Sequence, residues 1–130
     1  MEGLSVDPDL PAPPSRQLVE AFLDRMATGV LAAGDRLPSV RDLAQLALVN
    51  PNTAAKAYRD LGFLGVVDAK NGSGVFVAAG GPDIARRERR LVTWNEFRSA
   101  TRAAMRAGFT IEELRREIEA SDGAARKKGS

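Results

Sequence analysis

A mainly helical fold carrying one small β-hairpin is what this 130-residue sequence predicts. Three observations lead there. Three helical segments follow one another, the second and third separated by a break of only three residues. An Asn-Gly hairpin comes directly after them, and two further helical segments come after a Gly/Pro-rich connection.

Residues 1–14 carry Pro8, Pro11, Pro13 and Pro14 and read as an irregular N-terminal arm, with a short extended piece around Leu4–Val6. Ser15 then precedes Leu18, Val19, Phe22, Leu23 and Met26, which recur with the 3.6-residue period of a helix. Ser15 is the expected N-cap, and Gly29 lies just past the C-terminal end. Gly34-Asp35 marks a turn. Ser39 is placed to cap a second helix with Val40, Leu43, Ala44 and Ala47 inside. Residues 48–50 break it, and Asn50-Pro51 reads as an N-cap with proline at the first helical position. The third helix runs through Leu64, with Ala54, Ala57, Tyr58 and Leu61 on its inner face.

After Gly65 the pattern changes to that of strands. Val66-Val67 and Val75-Phe76-Val77 flank seven residues that contain Asn71-Gly72, a strong short-range hairpin signal. Residues 78–82 read as a linker. A long helix is expected from about Asp83 to Ala107, ended by Gly108. Thr110 and Glu113 form a capping box for a last helix with Ile111, Leu114 and Ile118 on its apolar face. Residues 121–130 read as a disordered tail. The domains are thus an arm (1–14), a winged helix-turn-helix (15–77), a linker (78–82), a two-helix region (83–120) and the tail.

Composition narrows the chemistry. The sequence has no Cys and no His, which removes disulfides, thiol or Ser–His nucleophiles, and Cys- or His-ligated metals. Neither a catalytic constellation nor a metal or cofactor site is expected, so the chain is read as not an enzyme. Hydrophobic residues make up 44%, but many are alanine, which leaves large apolar side chains for one compact core and not for two. The N-terminus is acidic and Pro-rich, unlike a signal peptide, and no apolar run reaches the length of a membrane span; the expected location is cytoplasmic. Net charge is only +2, so a nucleic-acid partner has to be argued from the placement of individual side chains.

That placement is informative. With its inner face buried, the third helix exposes Asn52, Thr53, Lys56 and Arg59. Asn can read adenine through two hydrogen bonds, Thr can meet a base edge or phosphate, and Lys and Arg serve phosphate or guanine. Ser39 and Arg41 open the second helix, where free N–H groups and a guanidinium suit a phosphate. Lys70, Gly72 and Ser73 sit at the hairpin tip, able to approach a minor groove. Each feature alone has a blander reading as solvated surface, an ion pair of Arg41 with Asp42 or Asp60, or a mere turn. Their order, helix–turn–helix–wing, is what favours DNA.

GDRLPSVRDLAQLALVNPNTAAKAYRDL followed by NGSGVFV resembles the winged-helix domain of GntR-family transcription regulators, and VNPNT-x-x-KAY resembles their YtrA-type subgroup. The resemblance implies DNA-contacting positions at Arg41, Asn52, Thr53 and Gly72, with Ser39 and Lys56 near phosphate. The sequence departs from common patterns at Leu48, where a turn glycine is frequent, at GFLG in place of E-x-x-G, and at Ala55, where relatives often carry a basic residue.

The C-terminal helices present Ile84, Leu91, Trp94, Met105, Ile111, Leu114 and Ile118, a stripe too small to close its own core. It either folds back on the first helix or packs on a second copy, and the resemblance implies the second. The run Arg86–Arg90 reads as a solvated face, with a role alongside DNA as the alternative. The expected function is a homodimeric repressor binding double-stranded DNA at a palindromic operator. A protein-docking module and a non-specific architectural DNA binder are the alternatives. A small-molecule effector, if there is one, would sit at the dimer helices, with no residue marking it out.

Overall fold

The computed structural model describes residues 3–70 and 72–129, with side chains through Gly123. Five helices and a two-stranded antiparallel sheet occur in the order α1 (Pro14–Ala27), α2 (Val40–Ala47), α3 (Pro51–Leu64), β1 (Val67–Lys70), β2 (Gly74–Val77), α4 (Gly81–Arg106) and α5 (Ile111–Gly129). The chain divides into two compact units, residues 1–90 and 91–130.

The first unit holds the core. Leu18, Phe22 and Met26 of α1 are almost fully buried with Leu43 of α2, Leu61 of α3 and Val66. Burying each such side chain stabilises the fold by about 1.5–3 kcal/mol. Helix α3 lies between α1 and α2 and packs closely on both. Ala54 and Ala57 on α3 and Ala44 and Ala47 on α2 are buried, and their small size lets the helices approach. The expected inner faces of α2 and α3 are those observed, Val40 being partly buried.

Local capping follows the sequence in most places. Ser39 Oγ accepts the Asp42 N–H at 3.0 Å, and Asn50 Oδ1 accepts the Asn52 N–H at 2.8 Å with Pro51 opening α3. Thr110 and Glu113 form the capping box of α5 in both directions, at 2.8 and 3.2 Å. Gly65 ends α3 at a φ of 83°. Leu48 ends α2 at a φ of 55°, a left-handed conformation that costs an L side chain about 1–2 kcal/mol.

Several expectations are corrected. Ser15 is not the N-cap of α1: Pro13 holds that position, Pro14 opens the helix, and Ser15 is buried within the first turn. The arm is not free of the fold: Leu4 enters the core, and the Gln17 side chain staples the arm through Asp7 N–H, Asp7 C=O and Ala12 C=O at 2.8–2.9 Å. The connection after the hairpin is shorter than 78–82, because α4 starts at Gly81. Helix α5 continues to Gly129, so residues 121–129 are helical where a disordered tail was expected. Ser130, and Asn71 of the expected hairpin tip, lie outside the described residues.

The start of α4 belongs to the first unit. Ala85 is fully buried and Ile84 packs against the core. Gly81 lies so close to the Val66 carbonyl that a Cβ would fall 2.6 Å from it. Ile84 is therefore not part of a free stripe; it closes the core beside Gly65. The Arg86–Arg90 run is partly engaged as well. Arg86 pairs with Asp83 in its own helix, and Arg89 reaches Asp24 on α1.

In the second unit, α4 and α5 are not a closely packed pair. Leu91, Trp94, Phe97, Met105, Ile111 and Ile118 are exposed, and Leu114 is half-buried. Trp94 and Phe97 stack with ring centroids 5.5 Å apart.

Candidate nucleic-acid interface

The candidate site is built from three pieces of the first unit: the N-terminal turn of α2, the exposed face of α3, and the hairpin. Tyr58, buried on α3, donates its hydroxyl to the Pro38 carbonyl and so ties α3 to the residue ahead of the α2 cap. Its ring lies 5.8 Å from that of Phe22 on α1. Burial, with the Asp42 carboxylate adding to it, raises the phenol well above its usual value, which keeps it a neutral donor.

The hairpin is held to the same frame. Lys70 pairs with Gly74 and Val67 with Val77. Residues 34–37 run along the other edge of β2 through an isolated bridge: Gly34 N–H donates to Val77, Val77 N–H to Asp35, and Leu37 N–H to Val75, at 2.8–2.9 Å. Ser39 thus stands two residues beyond a residue hydrogen-bonded to the hairpin. Gly72 takes a φ of 74° in the turn, where a side chain would be strained, and the Ser73 N–H donates to the Lys70 carbonyl at 2.9 Å.

The expected site residues fall on these pieces as follows. Asn52, Lys56 and Arg59 are exposed along α3, and Thr53 is half-buried on its first turn. Asn52 makes no side-chain hydrogen bond among the described residues, since the cap uses only its backbone N–H. Arg41 is exposed on the first turn of α2; neither it nor Arg59 forms an ion pair among the described residues, so the suggested pairing of Arg41 with Asp42 or Asp60 is absent. Lys56 does pair, with Asp60 at 3.1 Å. An exposed pair of this spacing is worth only about 0.3–0.5 kcal/mol, so a phosphate can take the ammonium over. Ser39 uses one oxygen lone pair for the cap and keeps its O–H to donate. Lys70 lies over the Phe76 ring at 5.1 Å, while Gly72 and Ser73 are exposed at the tip. Arg36, which the sequence did not mark out, lies against Gly74. No spacing in the sequence announces that contact, because it joins residues on two separate segments.

Among the described residues no group of His, Cys, Asp and Glu could hold a metal ion, and no helix is long and apolar enough to cross a membrane.

Three helices and a hairpin flanked by the bridged segment 34–37 define a winged helix-turn-helix domain. Residues 14–77 match the family described as bacterial regulatory proteins, gntR family, and the winged unit of this chain belongs to it. The HTH-type transcriptional repressor YtrA of Bacillus subtilis is 33% identical over 75 residues, 58% of each chain. The chain thus spans little more than half of that relative. A transcriptional regulator from Oenococcus oeni has a solved structure similar over 88% of this chain and 95% of its own, with a TM-score of 0.73 and 27% identity. The DNA-binding domain of AraR, solved in complex with operator ORX1, is 26% identical and matches 57% of this chain and 94% of its own at a TM-score of 0.53. These relatives are named as transcriptional regulators or operator-binding domains, not as enzymes.

Proposed function

We propose that the chain is a homodimeric transcription repressor whose two winged units bind an inverted-repeat operator. The observation that carries the DNA reading is the start of α3. Asn52 projects there with its amide unspent, beside Thr53, and the first turn of α2, tied to α3 through Tyr58, carries an unpaired Arg41. Asn52 and Thr53 read base edges in the major groove; Arg41, Ser39, Lys56 and Arg59 meet phosphates; and Lys70, Gly72 and Ser73 approach the minor groove. The similarity to a repressor and to an operator-bound domain supports this reading.

The dimer rests on the second unit. Phe97, Ala100, Thr101 and Ala104 of α4 and Leu114, Glu117, Ile118 and Ser121 of α5 line a groove of about 460 Å³. A helix of the second copy seated there covers the exposed Trp94 and Leu91 as well. Two recognition helices related by a twofold axis then face half-sites about one helical turn, roughly 34 Å, apart. Repression follows by occlusion of a promoter. An effector, if the regulator has one, acts through the same helices.

Footprinting of the full-length chain on the DNA upstream of its own gene tests the reading. A protected inverted repeat, together with sedimentation as a dimer, is expected. No protection and no duplex binding at low salt would overturn it.

A further inference from the structure

We propose that Arg36 belongs to the DNA-contacting surface and places its guanidinium on a backbone phosphate beside the wing. This inference rests on the DNA-binding reading above. Arg36 stands in the segment that runs along the free edge of β2 and forms an isolated bridge with Phe76. Bridge partners point to the same face of a sheet. Val75 packs against the core and Val77 is buried, so Arg36 and Phe76 lie on the outward face, with Asp68 opposite Phe76 on β1.

The side chain does not extend freely into solvent. A Cβ placed on Gly74 would fall 3.1 Å from Arg36 Nε and 3.3 Å from Nη2, so the guanidinium has settled into the room that this glycine leaves. Gly74 therefore meets two demands, a φ of 114° and the absence of a side chain beneath the cation. Arg36 is exposed and forms no ion pair among the described residues. The outward-facing Asp68 is two strands away, about 10 Å by strand spacing. Lys70, the cross-strand partner of Gly74, places a second cation on the β1 side of β2, over the Phe76 ring.

Two cations thus flank the strand that leads down from the wing tip. Arg36 also stands three residues before Ser39, the cap at which α2 presents its N–H groups. A forked guanidinium lying beside the wing and without a carboxylate partner can meet two phosphate oxygens at once through parallel charge-assisted hydrogen bonds.

The test uses the full-length chain, a pool of random-sequence duplexes, and a duplex selected from that pool by the unaltered chain. Arg36→Ala is expected to weaken binding to both about tenfold per protomer, about a hundredfold for the dimer, with unchanged thermal melting, as loss of one charge-assisted hydrogen bond in each protomer requires. The slope of log affinity against log salt should fall by about 1.8, about 0.9 for the Arg36 of each protomer of the dimer, and Arg36→Lys should restore it. Gly74→Ala should weaken binding, and its effect should shrink when Arg36 is already Ala, which separates displacement of the guanidinium from backbone strain. An unchanged salt slope for Arg36→Ala, in a chain that binds duplex, overturns the assignment and leaves the DNA reading intact. Failure of the unaltered chain to bind either duplex at low salt overturns both. Should Arg36→Ala melt early, Arg36→Gln carries the same slope measurement.

Discussion

The hydroxyl of Tyr58 donates to the carbonyl of Pro38, and this one bond joins the buried side of α3 to the backbone just ahead of the α2 cap. It sets the start of α2 against the helix that carries Asn52 and Thr53. Removing it by Tyr58→Phe should cost about 0.5–1.5 kcal/mol, since water can partly replace the donor at the half-exposed Pro38. Alkali probes the same bond. Burial holds the phenol above its usual value, so the folded state keeps a proton that the unfolded chain sheds near pH 10. Stability from this residue is therefore flat below about pH 10 and falls as pH rises beyond it. Tyr58 is the sole tyrosine, so phenolate absorbance should appear late and together with unfolding. Early ionisation in a still-folded chain would show that the hydroxyl is not buried.

Leu48 predicts a stabilising change. It is 91% exposed and left-handed at the end of α2, so it pays for its conformation with no packing in return. Leu48→Gly relieves about 1–2 kcal/mol of strain against about 0.5–1 kcal/mol of added chain entropy, a net gain of roughly 0.5–1 kcal/mol. Thermal melting should rise by a few degrees, with DNA affinity unchanged. A lower melting temperature would mean that the leucine makes contacts not seen here.

Asn52 separates base reading from phosphate contact. Asn52→Ala should lose about 1–3 kcal/mol per half-site on the selected operator, leave random duplex nearly unaffected, and relax preference at one base pair in each half-site. Equal losses on both duplexes would assign Asn52 to phosphate instead.

Trp94 tests the dimer. It is 57% exposed and stacked on Phe97, outside the core of the first unit. Trp94→Glu should leave the melting of the winged unit unchanged, convert the dimer to monomer in sedimentation, and weaken operator binding by at least tenfold through lost effective concentration. A chain cut after Arg90 should behave in the same way, whereas one cut after Ala79 should also lose stability, because it lacks Gly81, Ile84 and Ala85. Tight operator binding by a monomer would sink the dimer.

What could be read from the sequence is what neighbouring residues decide among themselves. Ser39, Asn50-Pro51 and Thr110 with Glu113 cap helices through bonds spanning two or three residues, and each cap is where its spacing puts it. Ala54, Ala57, Tyr58 and Leu61 share one face because a helix repeats every 3.6 residues, and that leaves Asn52, Lys56 and Arg59 outside. Ser15 misled because a proline pair fixed the helix start two residues earlier, and a serine inside the first turn can bury its side chain instead of capping. Tertiary structure decided the rest. Leu4 and the Gln17 staple turned an irregular arm into part of the core. Ile84 left the C-terminal stripe because Gly81 lets α4 begin against Val66. Arg36 met Gly74 only because residues 34–37 pair along β2, nearly forty residues later. Such contacts depend on apolar burial bringing distant segments together, and no local period encodes them.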